Sequence, residues 1–375
     1  MRFLPVNIVF AGGGTGGHLF PGIAVASAFL DHNEKNRILF IGTGNTFETT
    51  VLGKNGYPHE KITSAGIKGM SLVKKLKAMA QIPRGIMESF TILRRFQPDM
   101  VIGVGGYSSG PVVLTAWIMK KLGWDITIAL QEQNSLPGIT NRILGRFSDR
   151  VYISFKETER FFPPSKTRLT GNPVRKEFLQ AANQAAGHGA SSDNDRFTVL
   201  VAGGSQGAHR INMTLVDALG TLKDKDRFFF IHQTGATDKE AVEAAYKTYG
   251  IPCVVRAFFD DMAAQYMKSD LIIARAGATT VAEITALGKP ALFIPFPYAA
   301  DNHQEVNANA LVTQSAADMI VEKDLTCDLI GEKLDFYRSH RSVLDRMGKK
   351  AGALGGDDAS RAIIYDCYQL MEKTA

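Results

Sequence analysis

The sequence predicts an α/β protein with two domains, each built around a parallel β-sheet. The chain has 375 residues, which is enough for two domains of ordinary size. One arrangement also occurs twice: a β-branched apolar run, a glycine turn and a helix-like stretch, from Ile8 to His18 and from Val199 to His209. Such a turn delivers a strand to a helix N-terminus, where backbone N–H groups attract anions. We therefore expect a phosphorylated ligand between two facing domains.

Strand and helix patterns alternate through both halves, which is typical of parallel sheets. In the first half, strands are predicted at 6–11, 37–42, 100–104, 126–131, 150–154 and 167–170, with helices that include 19–31 and 138–147. In the second half, strands are predicted at 197–202, 227–232, 252–256, 270–274 and 291–295, with helices at 208–220, 239–249, 260–267 and 278–287.

A polar, small-residue stretch from Gln184 to Asp195 predicts a flexible linker between the halves. The predicted organisation is a domain at 1–175, a linker at 176–195 and a domain at 196–357. A helical pattern within 358–375 follows without a partner strand, so it could pack on either domain.

The composition is that of a soluble globular protein, with 45% hydrophobic and 21% charged residues. Three distant cysteines predict neither a zinc site nor a disulfide framework. No signal peptide is expected, and the longest apolar runs are too short to span a bilayer. Basic residues outnumber acidic ones two to one in 1–175, whereas acids predominate afterwards. The first half is therefore expected to meet an anionic surface.

The first glycine turn, Gly12-x-Gly14-x-x-Gly17, matches the dinucleotide-binding fingerprint. That fingerprint also needs an acid at the end of the second strand to bind a ribose. The second strand ends at Phe40–Thr43 without an acid. The pattern therefore disfavours NAD or FAD, and no cofactor is expected.

The second turn, Gly203-x-Ser205-x-Gly207, matches the nucleophile elbow of serine hydrolases, with Asp260 and His303 following in the order of a triad. A hydrolase would leave the similar first turn unexplained, because that turn carries Thr15. Two anion cradles explain both turns, with Ser205 donating to a phosphate. The hydrolase stays an alternative.

Three further segments follow predicted strands. A third glycine turn spans Gly103–Gly110, at the sheet edge where ligands gather in open α/β sheets. The segment Arg275–Glu283 opens a helix, and its Glu283 could accept both hydroxyls of a ribose or be an ordinary surface glutamate. The segment Pro295–Asn307 is dense in short polar side chains that suit sugar hydroxyls.

Acid–x–acid pairs are candidate metal ligands, because many sugar transferases hold a cation in this way. Asp193–Asp195 lies in the predicted linker, and Asp224–Asp226 lies in a predicted loop at the sheet edge away from the glycine turns. We therefore predict no catalytic metal, with a diphosphate neutralised by helix N-termini and backbone donors.

The segment 67–95 combines an apolar helical face with many basic residues. The apolar face comprises Leu72, Val73, Leu76 and Met79, and the surrounding basic residues are Lys61, Lys68, Lys74, Lys75, Lys77, Arg84, Arg94 and Arg95. This pattern is typical of a membrane-surface contact, or of a core-packed helix with a basic rim. Nucleic acid is not expected as a partner, because aromatic residues for base stacking are sparse.

Several phrases, in order over almost the whole chain, resemble the bacterial peptidoglycan N-acetylglucosaminyltransferase family: GGGTGGH, GVGGYSSGP, EQNSLPG, TGNPVR, GGSQGAHRIN, FFDDM, RAGATTVAEI and DNHQ. The resemblance implies the glycosyltransferase B fold, with two Rossmann-like domains whose parallel sheets face each other across a cleft. It implies transfer of N-acetylglucosamine from UDP-N-acetylglucosamine to the 4-hydroxyl of undecaprenyl-pyrophosphate-linked muramyl-pentapeptide. It also implies a peripheral enzyme on the cytoplasmic face of the inner membrane.

The resemblance also implies site residues. The loop Thr15, Gly16 and Gly17 would lie near the transferred sugar and the acceptor diphosphate, with Gly105, Gly106 and Tyr107 on the acceptor side. Asn134, Arg175 and Ser205 would contact the donor, and the backbone of Phe259 would lie against its uracil. Gln304 would bind the sugar hydroxyls. The diphosphate and ribose would be bound by one continuous run, with Glu283 on the ribose: Ala278, Thr279, Thr280, Val281, Ala282 and Glu283.

An α-linked donor and a β-linked product imply an inverting displacement, which needs a base for the acceptor hydroxyl. His18 is the candidate base, because its ordinary pKa lies near neutrality; alternatively it only positions the acceptor. Other functions left open are a UDP-sugar 2-epimerase on the same fold, a serine hydrolase through Ser205, and a binding module without turnover.

Overall fold

The computed structural model describes residues 4–64, 72–187, 196–204, 207–355 and 358–372. The chain divides into two compact units, one formed by residues 1–175 and 357–375 and the other by residues 176–356. Each unit contains one sheet in which all neighbouring strands run parallel. The predicted α/β class with two parallel sheets is confirmed.

The first unit alternates strands and helices along the chain. Its elements are β1 (Asn7–Gly12), α1 (Gly16–His32), β2 (Arg37–Gly42), α2 (Thr46–Lys54), β3 (His59–Lys61), α3 (Leu72–Phe96), β4 (Met100–Gly105), α4 (Ser109–Lys121), β5 (Thr127–Glu132), α5 (Ile139–Leu144), β6 (Arg150–Ile153) and β7 (Thr167–Leu169).

The first sheet has the strand order β3-β2-β1-β4-β5-β6-β7. The order reverses at β1, which pairs with β2 on one side and β4 on the other. The β1–β4 register shifts after Ala11, so that Gly12 lies opposite Gly105. The glycine turns after β1 and β4 therefore begin side by side. A reversal of this kind is where open α/β sheets bind ligands.

The second unit repeats the alternation. Its elements are α6 (Lys176–Gly187), β8 (Phe197–Ala202), α7 (His209–Ala218), β9 (Phe228–Gln233), α8 (Lys239–Tyr249), β10 (Cys253–Arg256), α9 (Met262–Lys268), β11 (Leu271–Ala274), α10 (Ala278–Leu287), β12 (Ala291–Phe293), α11 (His303–Val312), β13 (Asp318–Met319), α12 (Cys327–Ser339) and α13 (Arg341–Leu354). A last helix, α14 (Ala359–Glu372), belongs to the first unit.

The second sheet has the order β10-β9-β8-β11-β12-β13, so its reversal falls at β8. The turns after β8 and β11 therefore leave the sheet next to each other. These are the second glycine turn and the turn that opens at Arg275. The first and second glycine turns thus each follow the strand at which the order of their own sheet reverses.

The cores explain why the strands are apolar throughout. In β1, Ile8 and Phe10 pack into one buried cluster, whereas Val9 and Ala11 pack into another on the opposite face. Successive side chains of a strand point to opposite faces, so a continuous apolar run means that both faces are covered. In β8 all six residues are buried.

The segment 176–195 differs from the predicted linker, because its first part is the helix α6. Phe178 is fully buried and its ring meets the ring of Tyr266 edge-on, with centroids 5.4 Å apart. This contact anchors the helix, and its alanine- and glutamine-rich sequence also favours a helix. The remainder of the predicted linker, 188–195, lies outside the described residues.

The C-terminal helix α14, for which the sequence left two docking sites open, packs within the first unit. Ile363 and Cys367 join the same buried cluster as Phe29 of α1. Arg150 of β6 donates from Nε to Asp366 Oδ2 at 2.7 Å, and Tyr152 donates to the same oxygen at 2.9 Å. The Arg150–Asp366 ion pair, the hydrogen bond from Tyr152 and shared apolar surface thus hold α14 on this unit.

No helix among the described residues is both long enough and apolar enough to cross a membrane.

Candidate functional site

In the first unit, the turns after β1 and β4 are packed backbone against backbone. The amide of Gly13 donates to the carbonyl oxygen of Gly105 at 3.3 Å. A Cβ on Gly12 would lie 2.1 Å from that oxygen, and the φ of Gly12 is +124°. Only glycine fits this position. The glycines of the two motifs therefore hold two neighbouring loops together at the sheet edge.

The loop that follows β1 delivers the chain to the start of α1. Thr15 is the exposed residue before the helix, and Gly16 and Gly17 form its first turn. The helix dipole places partial positive charge at this end. No acidic residue lies in the first turn. The arrangement suits an anion or a sugar oxygen near Thr15.

His18 lies between the two glycine turns. A Cβ on Gly105 would be 2.7 Å from His18 Nδ1, so the imidazole ring lies directly against this glycine. His18 Nδ1 is 2.9 Å from Gln133 Oε1. Burial lowers the pKa of His18 below its ordinary value of 6.5, although bonds to Gln133 and the Val104 backbone oppose the shift. The ring is therefore neutral near pH 7 and able to accept a proton.

The loop after β5 is organised by a buried carboxylate. Glu132 accepts from the amide of Asn134 at 3.0 Å and from Asn141 Nδ2 at 2.9 Å. Burial raises the pKa of Glu132, with the bonds from Asn134 and Asn141 opposing the shift. The carboxylate fixes the position of Asn134. This residue, which is predicted to contact the donor, therefore lies next to Gln133 in a loop that hydrogen bonds hold in place.

The remaining predicted residues of this unit lie at or near the same edge. Tyr107 follows Gly106 and is 57% exposed, so its ring is accessible. The guanidinium of Arg175 lies over the ring of Phe20 in α1, at 4.6 Å from the ring centroid. Arg175 is thereby placed beside the first turn of α1, near the predicted loop at Thr15.

In the second unit, the turn after β8 is held by its neighbour β9. A Cβ on Gly207 would lie 1.9 Å from the carbonyl oxygen of Thr234, and the φ of Gly207 is +79°. Gly207 is thus required both for its backbone conformation and for the close approach of another loop. Ser205, the predicted phosphate donor and the alternative nucleophile, lies outside the described residues.

Gln233, which no sequence pattern singles out, connects the second glycine turn to the predicted donor contact at Phe259. Gln233 at the end of β9 donates from Nε2 to the carbonyl oxygen of Gly204 at 3.0 Å. Its Oε1 accepts from the amide of Phe259 at 3.0 Å. Since the amide of Phe259 is used in this way, its carbonyl is the group we expect to meet a uracil. The Phe259 side chain is buried.

The predicted diphosphate and ribose segment forms the first turns of α10. Gly277 precedes the helix in an extended conformation. Ala278 and Val281 are buried, whereas Thr279, Thr280 and Ala282 are partly exposed. Glu283 is 4% exposed, so it is not an ordinary surface glutamate. The helix therefore presents its threonines and its N-terminus at the sheet edge.

The polar segment after β12 is tied to the same edge. Gln304 in α11 accepts through Oε1 from the amide of Phe296 at 3.0 Å. Asn307, one turn later, donates to the carbonyl oxygen of Ala276 at 3.2 Å. This bond joins α11 to the turn that precedes α10. Gln304, predicted for the sugar, thus lies on a helix held beside the predicted diphosphate-binding turn.

A buried polar chain supports the second glycine turn. His232 Nε2 lies 3.0 Å from Asn212 Oδ1, and His232 Nδ1 lies 3.1 Å from the hydroxyl of Tyr246. Asn212 also donates to Thr234 O at 2.9 Å and to Asp238 Oδ2 at 2.8 Å. Thr234 is the residue that abuts Gly207. Complete burial lowers the pKa of His232 to about 3.

We expect this histidine to make the second unit acid-sensitive. Its pKa rises from about 3 in the folded state to about 6.5 when unfolded, so the unfolded chain binds more protons and stability falls as pH drops below 6.5. Urea unfolding should show a loss from this group of about 1.4 kcal/mol between pH 7.5 and 5.5. A non-titrating His232→Gln variant should lack that increment, and equal losses in both proteins would contradict the assignment.

Among the residues that the structure describes, no three histidine, cysteine, aspartate or glutamate side chains are grouped so that they could hold a metal ion. Of the two acid pairs, Asp224 forms an ion pair with Arg338 at 2.8 Å. Asp193 and Asp195 lie outside the described residues.

Comparison with known proteins identifies the two halves separately. The profile of the Glycosyltransferase family 28 N-terminal domain matches residues 8–153, and that of the C-terminal domain matches residues 198–363. A solved structure of MurG from Acinetobacter baumannii is similar with a TM-score of 0.75 and 28% identity, covering 98% of this chain and 100% of that chain. A UDP-N-acetylglucosamine 2-epimerase from Neisseria meningitidis has a TM-score of 0.67 at 14% identity, covering 98% and 100%, which shows the fold alone.

Curated relatives match over nearly the full length. The UDP-N-acetylglucosamine--N-acetylmuramyl-(pentapeptide) pyrophosphoryl-undecaprenol N-acetylglucosamine transferase of Myxococcus xanthus is 45% identical over 98% of this chain and 94% of its own length. The protein of the same name from Syntrophus aciditrophicus is 44% identical over 98% and 99%. The chain therefore belongs to the family 28 glycosyltransferases, within the group of bacterial peptidoglycan N-acetylglucosaminyltransferases.

Proposed function

We propose that this enzyme transfers N-acetylglucosamine from UDP-N-acetylglucosamine to the 4-hydroxyl of undecaprenyl-pyrophosphoryl-N-acetylmuramyl-pentapeptide, with inversion at the anomeric carbon. The observation that carries the proposal is the near-full-length identity of about 45% to transferases named for this reaction. The product is the lipid-linked disaccharide from which peptidoglycan is built.

The direct test is incubation with labelled UDP-N-acetylglucosamine and a lipid-linked muramyl-pentapeptide. We expect the label to move into a lipid-soluble disaccharide. If the donor is instead converted to its 2-epimer without an acceptor, the protein is a 2-epimerase. A fluorophosphonate label on Ser205 would favour a hydrolase, and donor binding without turnover would favour a binding module. Each of these results contradicts the proposal.

The first unit is proposed to bind the acceptor. Thr15, Gly16 and Gly17 would meet the sugar and the acceptor diphosphate at the N-terminus of α1, where the helix dipole favours an anion. Gly105, Gly106 and Tyr107 would line the acceptor side. Support comes from the packing of the two glycine turns against each other at the point where the strand order reverses.

The second unit is proposed to bind the donor. The diphosphate would lie at the N-termini of α7 and α10, with Ser205 donating to a phosphate and Glu283 binding the ribose hydroxyls. Gln304 would bind the sugar hydroxyls and the Phe259 carbonyl the uracil, while Asn134 and Arg175 approach the donor from the first unit. Support comes from Gln233, which ties the glycine turn at Gly204 to Phe259.

The chemical step is proposed as one displacement. The acceptor O4 forms a bond to the anomeric carbon as the bond from that carbon to the UDP oxygen breaks, and His18 takes the proton from O4. A neutral imidazole suits this role, and burial lowers the pKa of His18. The developing charge on UDP would be stabilised by the two helix N-termini, as fixed dipoles stabilise charge at low cost in reorganisation.

We further propose that the basic segment 67–95 attaches the enzyme to the cytoplasmic face of the inner membrane. Residues 65–71 lie outside the described part, and α3 begins at Leu72. Farther along α3, Met87 is 72% exposed, and Ile82 and Phe90 are also exposed. Apolar side chains of this kind can enter the headgroup region while basic residues meet anionic lipids.

Reversing the charge of Lys74, Lys75 and Lys77 to glutamate is expected to weaken binding to anionic vesicles by at least about tenfold, since each lysine near such a surface contributes about 1 kcal/mol. Vesicle co-sedimentation with and without added salt measures this loss. The matched control reverses Lys247, Lys349 and Lys350, which are exposed in the second unit. Equal binding by the two triple variants would contradict the proposed membrane face.

A further inference from the structure

We infer that Gln133 is a positioning residue which holds His18 as the Nδ1–H tautomer, so that the lone pair of the neutral ring lies on Nε2. This inference rests on the proposed function, in which His18 takes a proton from the acceptor hydroxyl. It identifies Nε2 as the atom of His18 that accepts the proton. It also gives a role to a buried amide of the EQNSLPG phrase, to which the sequence alone assigns none.

The orientation of the Gln133 amide follows from its partners. Its Nε2 donates to the carbonyl oxygen of Val104 at 2.7 Å and to that of Gln131 at 3.2 Å. Backbone carbonyl oxygens only accept hydrogen bonds, so the NH2 group of Gln133 must lie on this side. Gln133 Nε2 also contacts Oε1 of Gln131. The Gln131 amide is in turn oriented by its Nε2, which donates to Asn172 Oδ1 at 3.1 Å.

With its NH2 group fixed in this way, Gln133 presents its Oε1 to His18. An amide oxygen accepts and does not donate, and it lies 2.9 Å from His18 Nδ1. The hydrogen must therefore be on Nδ1. In a neutral imidazole the other nitrogen then carries the lone pair. Reaction through Nε2 therefore follows from the bond between Nδ1 and Gln133.

The backbone limits rotation of the ring. Gly105 lies so close that a Cβ there would be 2.7 Å from His18 Nδ1 and 2.9 Å from Cε1. Gln133 itself is only 1% exposed. An amide partner also differs from a carboxylate, because it carries no charge that would stabilise an imidazolium. The site therefore selects the tautomer while keeping the ring neutral and ready to accept a proton.

The test uses the full-length enzyme with histidine labelled with ¹⁵N in the ring. Ring nitrogen chemical shifts distinguish the two neutral tautomers, and the His18 signals are assigned by their loss in His18→Ala. At pH 8 we expect the Nδ1–H tautomer in the wild type. In Gln133→Leu, which lacks the acceptor, we expect a shift toward Nε2–H. The kcat for transfer should fall about 10- to 100-fold, with the KM for UDP-N-acetylglucosamine unchanged.

The matched control is Gln233→Leu, the same replacement at a strand end in the second unit. It should alter the KM for the donor and leave the His18 signals unchanged. An Nε2–H tautomer in the wild type would by itself overturn the inference. The test therefore remains decisive even if Gln133→Leu does not fold. An unchanged tautomer or an unchanged kcat in a folded Gln133→Leu would also overturn it. If His18→Ala proves fully active, the proposed base fails, and the nitrogen shifts still decide the Gln133–His18 bond.

Discussion

Replacing His18 with alanine is expected to lower the kcat for transfer by about 10²- to 10⁴-fold, the usual contribution of a general base. The dissociation constant for UDP-N-acetylglucosamine should change little, because the proposed donor contacts lie mainly in the second unit. Contact with Gly105 places the ring between the two glycine turns of the first sheet. Calorimetric titration with the donor beside a turnover assay separates the two quantities.

If His18 is the base, the activity should also depend on pH in a defined direction. Because burial lowers the pKa of His18, the neutral base should form below pH 6.5 and activity should rise with pH through that lowered value. The acid limb of kcat/KM in the wild type should therefore lie below pH 6.5. A useful control is His59→Ala, which removes an exposed histidine from β3. Equal loss of donor binding and turnover in His18→Ala would remove His18 as the base.

The strands and glycine turns of this fold could be predicted because their cause is local. Apolar runs such as Val199–Ala202 lead into glycines, and this pattern needs no knowledge of distant residues. The prediction that two anion-binding turns exist also followed from repetition within the chain. Sheet order then placed each turn at a reversal point, which sequence alone did not give.

Gln133 and Gln233 could not be found in this way. Their importance comes from backbone groups in or after other strands, namely those of Val104, Gly204 and Phe259. A glutamine in a sequence says nothing about such partners until the strand order brings them together. The helix α6 is a different case, because its alanine- and glutamine-rich sequence favours a helix locally. Only its docking through Phe178 depends on a distant residue, Tyr266.

The second large effect is expected from Gly207→Ala. The new Cβ would lie 1.9 Å from the carbonyl oxygen of Thr234 at a φ of +79°, so the turn after β8 must move. Thr234 cannot yield easily, because its carbonyl accepts from the buried Asn212 at 2.9 Å. We therefore expect the dissociation constant for UDP to rise at least about tenfold, which corresponds to about 1.4 kcal/mol. Calorimetric titration with UDP measures it.

Gly250→Ala provides the matched control. Gly250 has a similar φ of +66°, but a Cβ there meets nothing within 4 Å. This variant should lose about 1 kcal/mol of stability through backbone strain and keep its affinity for UDP. The comparison separates backbone strain from steric collision. Both variants have the strain of a positive φ, but only Gly207→Ala also has the collision. If both variants bind UDP equally well, the turn after β8 does not hold the diphosphate, and the proposed donor site in the second unit is wrong.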